Sequence, residues 1–237
     1  MTTCSVETER SEKLQVLSVY PIKDRVWFST ASGGVGMVKL VESSYILVSK
    51  FDASKFESWS VVSHPRSIDV AYASDDFGSI RIFDARTSKI SQFTKYHHYG
   101  VCSLSFPEQV NDNLVCSGGF DHTLCFWDTR STDKPISNFQ PGYCVWAIRW
   151  FSHDKIALVS ATDSGSYILK FDQNYQKHSE AIHYDRPQSL VYSSEICKVH
   201  TNNSSSYRIC STSFYDSLLH LWNFNTGLLK KRLYDQM

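Results

Sequence analysis

Short apolar runs alternating with polar positions fill this chain, and clusters of Gly, Asp and Ser separate them. Val145-Trp146-Ala147-Ile148-Arg149-Trp150 is one such run; Leu114 to Gly119 and Leu124 to Trp127 flank a Gly-rich turn that carries Asp121. A period of two over four to eight residues predicts half-buried β-strands, and no stretch carries a helical period of any length. The strand ending in Trp127-Asp128 has counterparts at Val41-Glu42, Phe83-Asp84, Phe171-Asp172 and Trp222-Asn223, at intervals of about 42 to 51 residues. A repeat of that length holding four short strands predicts the blade of a β-propeller, because one small sheet cannot bury both faces without neighbours of the same kind.

Five blades are predicted, at about 14–52, 53–95, 96–140, 141–181 and 182–237, forming one all-β domain after a polar, disordered lead-in over 1–13. In the last blade a polar insertion at His200 to Tyr207 accounts for the longest interval, and Leu228 to Leu233 reads as the outermost strand. No terminal strand is free to latch the ring. The five blades therefore either close tightly or form an incomplete ring of seven, and the open form is preferred, with apolar blade faces left for a partner.

Composition narrows the function classes. Lys and Arg number 24 and Asp and Glu number 24, so no net field favours nucleic acid or an anionic membrane. No apolar run approaches a membrane span, and Met1 to Lys13 lacks the apolar core of a signal peptide. The seven cysteines, at 4, 102, 116, 125, 144, 197 and 210, show no C-x-x-C spacing. They read as small buried thiols of a reducing, cytosolic compartment, without a metal site.

Within the blade at 96–140, Asp121 in the turn, Ser117 on the strand before it, Trp127 after it and His97 can complete a polar chain under the sheet. Asp216 and Trp222 occupy the matching places in the last blade, and all five residues other than His97 are read as structural.

Several of these stretches together resemble the WD-repeat diphthine methyl ester hydrolase family of diphthamide biosynthesis. The residues that carry the resemblance are Phe56-Glu57-Ser58-Trp59, His97 with Gly100-Val101-Cys102-Ser103, Trp127 to Arg130 followed by Lys134-Pro135-Ile136, and Val145 to Trp150. To these are added Ser164-Gly165, Ser189-Leu190-Val191-Tyr192 and, most specific, Cys210 to Trp222. The match runs over about residues 14 to 225; position 83 holds Phe where the family tends to Trp. The resemblance implies a WD-repeat propeller that removes the methyl ester from the modified histidine of elongation factor 2 before a final amidation, without a cofactor.

Ester hydrolysis at neutral pH needs an activated water or nucleophile and donors for the developing oxyanion. No G-x-S-x-G elbow and no H-E-x-x-H motif is present. What remains are polar side chains on the loops that enter the innermost strands. Glu57 is a candidate general base; His97 is a candidate acid/base that also fits the structural chain with Asp121, the preferred reading; Tyr143 is a candidate oxyanion donor or channel cap. His98, Asp185 and Ser189 are candidate substrate-binding residues of the rim, while His220 reads as a half-buried strand histidine. A non-catalytic scaffold that presents its rim to partner proteins is the other class left open.

Overall fold

In the computed structural model the described residues are 15–107, 113–131, 134–151, 155–201 and 204–226, and all their regular elements are strands. The expectations for 1–13 and for Leu228 to Leu233 lie outside them. Nineteen strands form five antiparallel sheets. The first contains β1 (Val16–Ile22), β2 (Arg25–Thr30), β3 (Gly34–Val41) and β4 (Ser44–Asp52). The second contains β5 (Ser60–Ser63), β6 (Val70–Ser74), β7 (Ile80–Asp84) and β8 (Lys89–Thr94). The third contains β9 (Val101–Ser105), β10 (Leu114–Gly119), β11 (Leu124–Asp128) and β12 (Ser137–Phe139). The fourth contains β13 (Val145–Trp150), β14 (Ile156–Ala161), β15 (Gly165–Phe171) and β16 (His178–Tyr184). The fifth contains β17 (Val191–Thr201), β18 (Ser204–Ser213) and β19 (Leu218–Asn225). Each sheet is a simple meander, in strand order.

The polar insertion of the last blade takes strand form. β17 and β18 pair from Val191↔Ser213 out to Thr201↔Ser204, so the extra residues lengthen a hairpin. Serine has little strand preference of its own, and pairing of β18 with both neighbours overrides it.

The first strand of every sheet faces the centre. β1, β5, β9, β13 and β17 all line one cavity of about 380 Å³, which makes it the central channel. Neighbouring inner strands are tied by a repeated device: the Ser18 hydroxyl accepts from Val61 N (3.4 Å), Ser60 from Leu104 N (3.1 Å) and Ser103 from Ile148 N (3.2 Å). Trp150 Nε1 adds a bond to the Ser105 hydroxyl at 3.0 Å. Each of these satisfies a polar group that the packing of sheet on sheet removes from water.

The core sits between sheets rather than within one. Trp27, Met37 and Phe51 pack on Val61, Ala71 and Phe83 across the first and second sheets. Tyr72, Ile80 and Phe93 meet Val101, Val115 and Trp127 across the second and third. Phe126 and Leu124 meet Val145, Tyr167 and Phe171 across the third and fourth, and Phe151, Leu158 and Ile168 meet Tyr207, Ile209 and Phe224 across the fourth and fifth. Among the described residues no such cluster joins the fifth sheet to the first. Apolar side chains there remain exposed: Val19, Leu40 and Leu47 on the first sheet, Leu219 and Leu221 on the fifth.

A second repeated signature sits after the third strand of two blades. Asp84 grips its own turn through Arg86 N, Nε and Nη2 at 2.8–3.0 Å, and Asp128 does the same with Arg130 at 2.6–2.9 Å. The arginine hydrogen bond pushes the Asp128 carboxyl down to about 2. Of the described cysteines, Cys102, Cys116, Cys125 and Cys144 are buried, Cys210 is half-buried and Cys197 is exposed, and none of them forms a disulfide with another described residue.

Candidate functional site

Because each sheet is an antiparallel meander whose first strand is innermost, the loops after every second and fourth strand emerge at one end of the channel. Glu57, His97, His98, Tyr143, Asp185 and Ser189 all lie on loops of that end, as do the turns carrying Asp121 and Asp216. Backbone bonds stitch these loops together: Asp76 N to Glu57 O (3.0 Å), Val101 N to Asp75 O (3.1 Å), Phe120 N to Gly100 O (2.9 Å), Val191 N to Thr162 O (3.1 Å). Two hairpins at this mouth depend on glycine. Gly78 (φ +79) and Gly165 (φ +91) adopt left-handed backbone, and a Cβ on either would meet a carbonyl oxygen at 2.3 Å, that of His97 and that of Tyr184 respectively.

His97 is the most constrained of the predicted site residues. Its Nδ1 lies 3.0 Å from Asp121 Oδ2, its Nε2 lies 2.8 Å from the Ser117 hydroxyl, and Trp127 Nε1 reaches that same hydroxyl at 2.9 Å. The directions follow from counting protons. The indole can only donate, so Ser117 accepts there and donates its own O–H to Nε2, which leaves Nδ1–H to donate to the carboxylate. The imidazole, hydroxyl, indole and carboxylate of this network are each hydrogen-bonded within it. The His97 side chain is 0% exposed and both ring nitrogens have partners.

Burial works to raise the Asp121 carboxyl, but the His97 hydrogen bond and charge, with the amides of His98 and Thr123, outweigh it and hold the group below its ordinary 3.8. A carboxylate with a depressed folded pKa contributes stability that is complete above the unfolded value and is lost as pH falls through the folded one. The urea midpoint of the wild type is therefore expected to drop steeply as pH falls below about 4. Asp121→Asn should start lower and show a visibly shallower decline in the same series, and identical slopes would remove this account.

The last blade repeats only part of the chain. Trp222 Nε1 donates to the Ser211 hydroxyl at 3.1 Å, and in place of a histidine Ser211 meets Ser194 at 3.0 Å and Ser166 at 3.2 Å. All three hydroxyls are buried, and Ser166 comes from the fourth sheet, so this cluster locks two blades together. Asp216 keeps its turn through Leu218 N at 3.3 Å. His220 approaches the Tyr184 hydroxyl at 3.4 Å through Nδ1.

Tyr143 is buried on its loop at this end. Its ring is 5% exposed and stacks on Tyr167 at 3.9 Å, which stacks in turn on His183 at 4.2 Å. Burial raises its phenol far above the usual value, so the hydroxyl stays protonated, and it has no partner. Glu57 is half-buried beside an anchored stretch: Ser58 donates to Ser74 O at 3.1 Å and Trp59 Nε1 to Asp76 Oδ1 at 2.8 Å. His98 and Asp185 are exposed. Ser189 accepts from Tyr215 N at 2.9 Å and, with Asp163, Tyr215 and Asp216, lines an open cleft of about 650 Å³ between the fourth and fifth sheets.

Sequence reasoning passed over one feature of the mouth, a run of aromatic rings contributed by different sheets. Trp146 meets Trp59 at 5.6 Å, Phe120 at 5.3 Å and Tyr192 at 4.8 Å, and Tyr192 meets Phe214 at 5.4 Å. Trp59 and Trp146 lie within stretches that were legible one by one, but nothing in their spacing says that they touch. No group of three or more His, Cys, Asp or Glu side chains with metal-binding geometry occurs among the described residues. No helix among them is long and apolar enough to cross a membrane.

No protein-family model matches the chain. It is 26% identical over 220 residues to human diphthine methyltransferase, covering 80% of this chain and 48% of that protein. It is 23% identical over 218 residues to the diphthine methyltransferase homolog of Dictyostelium discoideum, covering 84% and 59%. The WD repeat-containing protein srw1 of Schizosaccharomyces pombe is 28% identical over 129 residues, which is 54% of this chain and 21% of that one. A chain of the mitotic checkpoint complex crystal structure superposes with a TM-score of 0.72 at 14% identity, covering 87% of this chain and 62% of that one. The chain thus spans about half the length of the diphthine methyltransferases that it matches. It is a WD-repeat β-propeller of five recognisable blades, homologous to the proteins named diphthine methyltransferase.

Proposed function

We propose that this chain acts in diphthamide biosynthesis by hydrolysing the methyl ester of methylated diphthine on elongation factor 2, in the cytosol. The observation that carries the reading is the similarity to human diphthine methyltransferase over 80% of the chain. Water adds to the ester carbonyl, methanol leaves, and the free carboxylate remains for a later amidation. Glu57, held at the channel mouth between Phe56 and Trp59, takes the proton of the attacking water. His97, with Ser117, Asp121 and Trp127, fixes the loops around it, and Tyr143 does so through its stack. His98, Asp185 and Ser189 supply rim contacts to the protein substrate, with Ser189 in the cleft beside Asp163 and Asp216.

The name of the relatives denotes methyl transfer, so the test separates the two chemistries. Elongation factor 2 bearing methyl-esterified diphthine is incubated with the chain and no methyl donor. Stoichiometric methanol, with loss of one methyl by mass spectrometry, is expected; an unchanged ester overturns the reading. The scaffold reading is supported by the exposed apolar faces of the first and fifth sheets. Cells lacking the chain distinguish it: accumulated methylated diphthine supports the hydrolase, and normal diphthamide supports the scaffold.

A further inference from the structure

We infer that Cys102 and Cys144 form a modification site for hydroperoxides, a pair of thiols that is oxidised to a disulfide bridging the third and fourth sheets at the channel mouth. The inference stands independently of the proposed hydrolysis.

Placement is the first argument. Cys102 is the second residue of β9 and Cys144 immediately precedes β13, so the two thiols stand at the same end of neighbouring inner strands. They are in contact: the Cys102 S–H donates to the Cys144 sulfur, with Gly100 O at 3.8 Å as a second acceptor. The elements that carry them are tightly packed. Ile148 N donates to the Ser103 hydroxyl at 3.2 Å, and a Cβ on Gly118 of β10 would meet the Val145 side chain at 2.2 Å. A bridge closes without large backbone movement only between cysteines already side by side, and this pair meets that requirement.

The other buried cysteines do not. Cys116 and Cys125 lie on paired strands but on opposite faces of the third sheet. Cys116 packs toward the fourth sheet with Phe126 and Val145, and Cys125 toward the second with Val115 and Trp127.

Access and reactivity are the second argument. Cys102 borders the 380 Å³ channel, wide enough for a molecule the size of hydrogen peroxide, while both thiols are less than a tenth exposed and so shielded from bulky oxidants. Hydrogen bonds from Cys102 and from the Thr162 hydroxyl hold the Cys144 thiol below its ordinary value despite burial. The same contact, with burial, pushes the Cys102 thiol up. The two sulfurs therefore divide the work, Cys144 as the attacking thiolate and Cys102 as the thiol that resolves it.

The Cys144 sulfur attacks one oxygen of the hydroperoxide and the O–O bond breaks. The other oxygen leaves with the Cys144 proton, as water from hydrogen peroxide or as an alcohol from an organic hydroperoxide, and Cys144 becomes a sulfenic acid. The Cys102 sulfur then attacks the Cys144 sulfur, the S–O bond breaks, and hydroxide leaves with the Cys102 proton as water. Two thiols lose two electrons, and the hydroperoxide gains them.

The experiment treats the reduced full chain with hydrogen peroxide, blocks remaining thiols in denaturant and maps the peptides by mass. A Cys102 to Cys144 cross-link is expected, 2 Da below the sum of the two peptides and reversed by dithiothreitol. It closes a loop of about 40 residues, so Tm should rise by about 5–10 °C on oxidation. Cys102→Ser should stop at a sulfenic acid on Cys144 that dimedone traps, and the double variant Cys197→Ser, Cys210→Ser should cross-link as the wild type does. The wild-type map alone decides the matter, whatever the variants do to folding. A bridge at a different pair, or oxidation of Cys197 with Cys102 and Cys144 both still alkylated, would overturn the inference.

Discussion

Trp127→Ala is expected to cost about 3–5 kcal/mol of unfolding free energy, the largest stability loss of any single change in the third blade. The indole is 0% exposed and packs edge-on against Phe93 at 5.8 Å and Tyr96 at 5.5 Å, so truncation opens a cavity that two rigid sheets cannot close. It also removes the donor to the Ser117 hydroxyl and frees the chain that ends at His97 and Asp121. Trp127→Phe separates these effects. It retains most of the apolar volume and loses the N–H, so about 1–2 kcal/mol is expected. Urea unfolding at neutral pH measures both, and a Trp127→Ala cost below about 1 kcal/mol would show that the blade interface does not depend on this side chain.

Glu57→Gln is expected to lower kcat for methanol release by about 10²–10⁴-fold while KM stays within a few fold. The amide is isosteric, and the loop that holds it is fixed by bonds the change leaves alone: Glu57 O accepts from Asp76 N, Ser58 donates to Ser74 O, and Trp59 Nε1 donates to Asp76. A loss of rate can therefore be assigned to the carboxylate rather than to movement of the loop. Glu57→Asp, which keeps the charge but withdraws it by one methylene, should fall between the two. If Glu57→Gln turns over at the wild-type rate, the base is another group and Glu57 is a loop residue.

Much of the architecture was legible because the signals are local. The Trp127-Asp128 pair and its counterparts mark each third strand, and Asp84-Ala85-Arg86 and Asp128-Thr129-Arg130 close their turns with bonds between residues two apart. The polar chain of the third blade was legible for a similar reason: Ser117, Asp121 and Trp127 lie on one hairpin, and a turn carboxylate has few nearby donors. The outer part of the β17–β18 hairpin was legible only as a polar insertion, because Ser204, Ser205 and Ser206 carry no strand pattern; Ser204 and Ser205 pair with β17, and Ser206 with β17 and β19.

For the mouth the division is sharper. The order of residues along the chain determined that there are blades, and that Glu57, His97, Tyr143 and Ser189 stand on loops between strands. Only the tertiary structure decided that His97 and Tyr143 are enclosed, that Ser18, Ser60 and Ser103 bond across to the next blade, and that Trp59, Phe120, Trp146 and Tyr192 converge. The physical reason is that alternation and turn chemistry act over a few residues. Enclosure and convergence depend instead on sheets dozens of residues apart packing around one axis, which leaves no periodic trace in any single segment.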